Sequence, residues 1–200
     1  MILHRLMLIA DQEGAGGRPL HDVVVRAANG VGGRLVVQFR EREMRDRELI
    51  AVIRAVQRRM PPHTTLIVND RPALARALGI GLHLPASSAG PGGRYALLGR
   101  SVHDQQEASQ AVDDRVDYAV VGTIFATASH PGRPSAGLAH LTEMRAMLGD
   151  TPCYAIGGID AERAPLAVDA GAWGVAVRTA ILSADDPAEA AYRMHGSLPA

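Results

Sequence analysis

Two hundred residues, 47% hydrophobic and 21% charged, describe a globular chain long enough to bury well over half of its extended-chain surface without disulfides. Twenty-one basic and twenty-one acidic side chains cancel, which excludes the electrostatic footprint of a nucleic-acid binder or a polybasic membrane protein. A small molecule is the expected partner, with no nucleic acid and no membrane.

The opening MILHRLMLIADQ is broken by Asp11, far short of the roughly 20 apolar residues of a membrane span. No signal peptide is read, and the expectation is a cytoplasmic protein. Eight apolar, β-rich runs follow in order: LMLIA (6–10), RLVVQF (34–39), TTLIVND (64–70), GLHLP (81–85), YALLGRSVH (95–103), YAVVGTIF (118–125), CYAIGGI (153–159) and GVAVRTAIL (174–182). Segments of helical periodicity separate most of them, among them DRELIAVIRAVQRR, DQQEASQAVDDR, GLAHLTEMRAML, AERAPLAVDAG and DPAEAAYRMHG.

Strands alternating with helices require right-handed crossovers and a parallel sheet covered on both faces. Eight units predict a (β/α)8 TIM barrel occupying residues 1–200 as a single domain. PASSAGPGG, between the fourth and fifth strands, leaves room for a short or missing fourth helix. An open doubly wound sheet is the alternative. GAGGRP (14–19) imitates the start of a dinucleotide fingerprint, but Pro19 stands where its third glycine should be, so a flexible first loop is expected. The lone Cys153 lies in an apolar run and reads as a packed thiol.

In such a barrel the chemistry sits where strands end, at their C-terminal side. The second strand ends QFRER, and its pleat sends Gln38, Arg40 and Arg42 to one side as candidates for an anion, unless the arginines pair with Glu41, Glu43 and Asp46. The third ends VNDR, offering Asn69 and Asp70; the carboxylate either holds Mg²⁺ or a substrate amine, or caps the helix starting at Pro72. In the fifth, Ser101 and His103 share a face, without the carboxylate and elbow of a hydrolase triad. His103 is otherwise a satisfied core histidine. Glycine loops after the seventh and eighth strands, with Gly157, Gly158, Arg178 and Thr179, are where this architecture binds phosphate.

RER after the second strand, VNDRPALARALGIGLHLP, LLGRSVH, DYAVVGTIFATASHPG, YAIGGID and GAWGVAVRTAI together resemble, in order and spacing over about residues 3–190, the thiamine phosphate synthase and TenI superfamily. The resemblance implies a barrel acting on a thiazole phosphate in thiamine biosynthesis. One branch condenses hydroxymethylpyrimidine pyrophosphate with thiazole phosphate, using Mg²⁺ and basic groups. The other, the TenI thiazole tautomerases, aromatises a thiazole carboxylate phosphate by proton transfer, with no cofactor.

The synthase pattern is met at Gln38, Arg40, Asn69, Asp70, Ser101, Thr127 and Ser129. It is broken where Arg42 replaces a lysine, where Ser87 or Ser88 stands for a second metal carboxylate, and where His130 replaces a lysine. The TenI branch resembles the chain more closely in RER, LPxSS and GRSVH, although Thr123 stands where its proton-transfer histidine belongs. The expectation is therefore a tautomerase in which His130 or His103 moves the proton and Thr123 hydrogen-bonds or packs. The alternatives are a synthase, with Asp70 holding Mg²⁺, and a non-catalytic barrel that binds a phosphorylated metabolite. Barrels of this family often pair, so a homodimer is one expected assembly. Trp173 and Tyr192 are interface candidates, with a core position expected for each.

Overall fold

The computed structural model describes residues 1–90, 92–127 and 135–199. In chain order the elements are β1 (Leu6–Ala10), α1 (Leu20–Gly30), β2 (Val36–Phe39), α2 (Asp46–Gln57), β3 (Thr65–Asn69), α3 (Pro72–Leu78), β4 (Gly81–Leu84), β5 (Leu98–Val102), α4 (Gln105–Asp113), β6 (Tyr118–Gly122), α5 (Gly137–Leu148), β7 (Cys153–Ile156), α6 (Ala164–Asp169), β8 (Gly174–Val177), α7 (Thr179–Leu182) and α8 (Pro187–Gly196). The strands pair in parallel in sequence order, and β8 returns to β1 to close the barrel. The eight expected strands are all present. The last is shorter than its apolar run, because TAIL turns into helix α7.

Two apolar layers follow from the period-2 alternation of strand side chains. Leu8, Val37, Val68, Leu82, Val121 and Val175 point outward into the layer shared with the helices. Met7, Ile9, Val36, Ile67, Tyr118, Val120, Tyr154 and Ala176 fill the barrel interior. Tyr118 is accommodated because Gly99 faces it: a Cβ there would lie 2.0 Å from the ring carbon Cζ.

No helix lies between β4 and β5 among the described residues. A buried cation organises that connection instead. Arg100, on β5 and fully buried, donates to the carbonyls of Ala86 (2.9 Å) and Ser88 (2.9 Å) and pairs with Asp114 at 2.5 Å. The loop carbonyls that a helix would satisfy internally are thus satisfied by one guanidinium.

Two expectations need correction. Trp173 and Tyr192 are not core aromatics; they are 37% and 64% exposed. Trp173 precedes β8 at the strand-entry end, with the Arg5 guanidinium 4.4 Å from its ring centre. The first loop also has ordering contacts where a flexible loop was expected. Asp11 accepts the Gly14 N–H at 2.7 Å, and Arg18 donates to the carbonyls of Ala15, Leu182 and Ala184. Cys153 is buried as expected, and burial raises its thiol pKa. Among the described residues no helix is long and apolar enough to cross a membrane.

Candidate active site

The C-terminal ends of the strands surround a cavity of about 870 Å³. Gln38, Arg40, Arg42, Asn69, Asp70, Ser101, His103, Thr123, Thr127, Gly157, Gly158, Arg178 and Thr179 all line it. Ser129 and His130 lie outside the described residues. The pleat explains the gathering, because inward positions on neighbouring strands meet at one end of the barrel.

The two arginines after β2 are available to an anion. Two of the carboxylates that might have paired with them are engaged elsewhere, since Glu41 accepts the Gln12 N–H and Asp46 pairs with Arg71, and Glu43 forms no salt bridge among the described residues. Among the described residues neither Arg40 nor Arg42 has a salt-bridge partner. Burial lowers the Arg40 pKa, and the charges of Arg42 and Arg178 lower it further against an opposing pull from Asp11. A desolvated cation beside other cations gains most from an incoming polyanion. Glu41 is pushed the other way, its pKa raised chiefly by burial.

Asp70 follows β3 with a left-handed φ of 54° and is exposed, while its N–H donates to the His83 carbonyl at 2.9 Å. It does not cap α3, whose N-cap is Arg71 with no side-chain cap hydrogen bond. Among the described residues no group of three or more His, Cys, Asp or Glu comes together. The donor set nevertheless fits Mg²⁺, which takes one or two carboxylates and completes its shell with water and substrate phosphate. Of the two serines after β4, Ser87 faces the cavity, while the Ser88 carbonyl is held by Arg100.

Across the barrel, the glycine turn after β7 is shaped by contact with the loop after β6. Gly157 has φ 104°, and a Cβ there would come within 2.3 Å of Thr123 Cγ2; at Gly158, φ 61°, it would come within 2.3 Å of the Ala126 carbonyl oxygen. Only glycine permits both the conformation and the approach. Thr123 thus packs on Gly157, and the Gly122–Thr123 peptide is cis. Arg178 is more committed than its motif suggests. Its Nε and Nη2 bind both oxygens of Asp11 at 2.6 and 2.8 Å, and Nη2 also reaches Glu13 at 2.7 Å, leaving Nη1 for a ligand.

His103 stands at the rim rather than in the core. Its side chain is 50% exposed, and its Nδ1 lies 2.8 Å from Glu107. The histidine that sequence reasoning passed over is His83. It is 2% exposed and lines the cavity between Ser101 and Tyr118. Its signal was available in GLHL, where the pleat that turns Leu82 and Leu84 outward turns Gly81 and His83 inward. Asp11 was also missed, since its partner Arg178 lies 167 residues away in sequence, and Arg100, because its loop and helix partners meet only across the β4–β5 connection.

Comparison with known proteins assigns the lineage. A family model described as thiamine monophosphate synthase matches residues 6–181. The thiamine-phosphate synthase of Thermus thermophilus is 39% identical over 175 residues, covering 84% of each chain. That of Albidiferax ferrireducens is 37% identical over 199 residues, covering 95% of this chain and 90% of its own. The solved thiamine phosphate pyrophosphorylase from Pyrococcus furiosus superposes with a TM-score of 0.81 at 23% identity, covering 96% of this chain and 94% of that one, and so supports the fold.

These relatives overturn the tautomerase expectation, which rested on RER, LPxSS and GRSVH, short stretches that describe loops and a strand face rather than a reaction. With it falls the proton-transfer role given to His103 and His130. The synthase identities extend over most of the barrel, and the chain belongs to the thiamine monophosphate synthase family.

Proposed function

We propose that this barrel is a thiamine-phosphate synthase, a transferase that joins hydroxymethylpyrimidine pyrophosphate to thiazole phosphate and releases pyrophosphate. The observation that carries the reading is that one cavity offers two separate anion-receiving regions. Unpaired Arg40 and Arg42 stand beside Asp70 at the ends of β2 and β3, and the glycine turn with Thr179 follows β7 and β8. A pyrophosphate at the two free guanidiniums and a monophosphate at the glycine turn would fill both regions.

The chemistry fits the residues. The C–O bond to the pyrophosphate breaks with its electron pair leaving on oxygen, and the thiazole nitrogen lone pair captures the pyrimidinylmethyl cation to form the C–N bond. No proton is transferred in that exchange, so Thr123 need not be a base. Arg40 and Arg42 neutralise charge on the leaving group, where preorganised cations act most strongly. Asp70 would hold Mg²⁺ there, which would supply further neutralisation of that charge. Asn69, Ser87, Ser101, Thr127 and Gln38 line the wall against the organic parts, with Ser129 assigned to the same role by motif alone. Gly157, Gly158, Thr179 and Nη1 of Arg178 receive the thiazole phosphate.

The test is incubation of the purified protein with both substrates and Mg²⁺. Thiamine phosphate and pyrophosphate are expected in equal amounts. Binding of both substrates without product would sink the reading.

A further inference from the structure

A chain of buried polar groups runs from Ser101 at the cavity wall into the barrel interior, and the mechanism above uses neither His83 nor Tyr118 in it. The Tyr118 hydroxyl lies 3.0 Å from Nδ1 of His83 on β4, and Nε2 of His83 lies 2.9 Å from the Ser101 Oγ on β5. The His83 and Tyr118 rings stack at 5.6 Å. Of these three residues, His83 and Ser101 reach the cavity wall.

The direction of the chain follows from donor and acceptor counting. Burial raises the Tyr118 pKa, so the phenol keeps its proton. The hydroxyl has Nδ1 of His83 as its hydrogen-bond partner, and a buried O–H left without an acceptor is costly, so it donates there. His83 is 2% exposed between a phenol and a serine hydroxyl, with no carboxylate partner among the described residues, so its ring is neutral and carries one N–H. That N–H is then on Nε2 and donates to Ser101. The serine oxygen is occupied as an acceptor, and its own hydrogen is left to point into the cavity.

We propose that His83 is a positioning residue that acts through Ser101: locked in the Nε2–H tautomer by Tyr118, it makes the serine hydroxyl an obligate hydrogen-bond donor to an acceptor atom of the bound pyrimidine substrate. The substrate's part of this inference rests on the synthase reading. The alternative tautomer would reverse every bond and present Ser101 as an acceptor, which would repel the same atom.

The ¹⁵N NMR spectrum of the His83 imidazole in the unliganded protein tests the lock without any assay of turnover. Nε2 should be protonated and Nδ1 bare across pH ~5 to ~8, the range in which a free imidazole titrates, and Tyr118→Phe should abolish that preference. A proton on Nδ1 in the wild-type protein overturns the proposal.

Kinetics test the consequence. His83→Leu should lower kcat/KM about tenfold, the loss expected for one well-placed hydrogen bond. His83→Gln, whose amide N–H can still donate to Ser101, should recover most of it. The double variant with Ser101→Ala should be no worse than Ser101→Ala alone, because His83 acts only through the serine. Additive losses, with all variants folded, would make His83 a structural residue and overturn the proposal. If the wild-type protein makes no thiamine phosphate, the functional reading fails while the NMR result still decides the tautomer.

Discussion

Replacing Arg40 by methionine separates a ligand-binding cation from a structural one, because the two roles predict opposite signs for stability. Arg40 is half-buried and has no carboxylate partner among the described residues. Its pKa is lowered by burial and by its cationic neighbours, so folding disfavours the charged form relative to the unfolded chain. Methionine keeps much of the apolar stem and removes that penalty. The melting temperature should hold or rise, at about 2–4 °C per kcal/mol regained in a chain of this size.

Binding should move the other way. Each charge-assisted hydrogen bond to pyrophosphate contributes about 1.5–3 kcal/mol, so the Kd for inorganic pyrophosphate should rise roughly tenfold to a hundredfold. Calorimetric titration with pyrophosphate in Mg²⁺ and a thermal melt on the same sample measure both. A Kd within about twofold of wild type, a shift worth well under one such bond, or a melting temperature lower by more than ~4 °C, would refute the reasoning.

Arg100→Met should destabilise by about 3–5 kcal/mol, because Asp114 and two loop carbonyls lose their buried partner; urea unfolding measures it. Gly157→Ala should lose both stability and activity, given the 2.3 Å approach to Thr123 Cγ2 at φ 104°, and a variant with wild-type melting and turnover would contradict that packing. His83 binds a proton more readily in the unfolded chain, with a folded pKa of about 3 against 6.5. Its contribution is therefore whole above pH 6.5 and is lost as pH falls towards 3, at about 1.4 kcal/mol per pH unit. His83→Gln should flatten this part of the acid loss, by about 2 kcal/mol between neutrality and pH 5, in urea midpoints measured at both values. EDTA should abolish thiamine phosphate formation and added Mg²⁺ restore it, and Asp70→Asn should raise the Mg²⁺ concentration needed for half-maximal rate.

The barrel was legible in the chain because its cause is local. Strands buried on both faces require apolar runs, helices require a 3.6-residue period, and eight alternations leave few topologies. The missing fourth helix was legible for the same reason, since PASSAGPGG is too short and too rich in glycine and proline to wind one. Strand ends could also be named in advance, so most polar residues of the cavity wall were recognised one by one.

What tertiary structure decided were the partners. Arg178 reads as a phosphate ligand in GVAVRTAI, yet Asp11, 167 residues away, holds two of its nitrogens. His83 reads as an interruption in an apolar strand until Tyr118 and Ser101 are brought to either side of its ring. Which carboxylates leave Arg40 and Arg42 free depends on where Gln12 and Arg71 fall in space. A residue's type and local period set which face of its element it occupies, but its charge state and hydrogen-bond direction depend on neighbours joined only when the barrel closes.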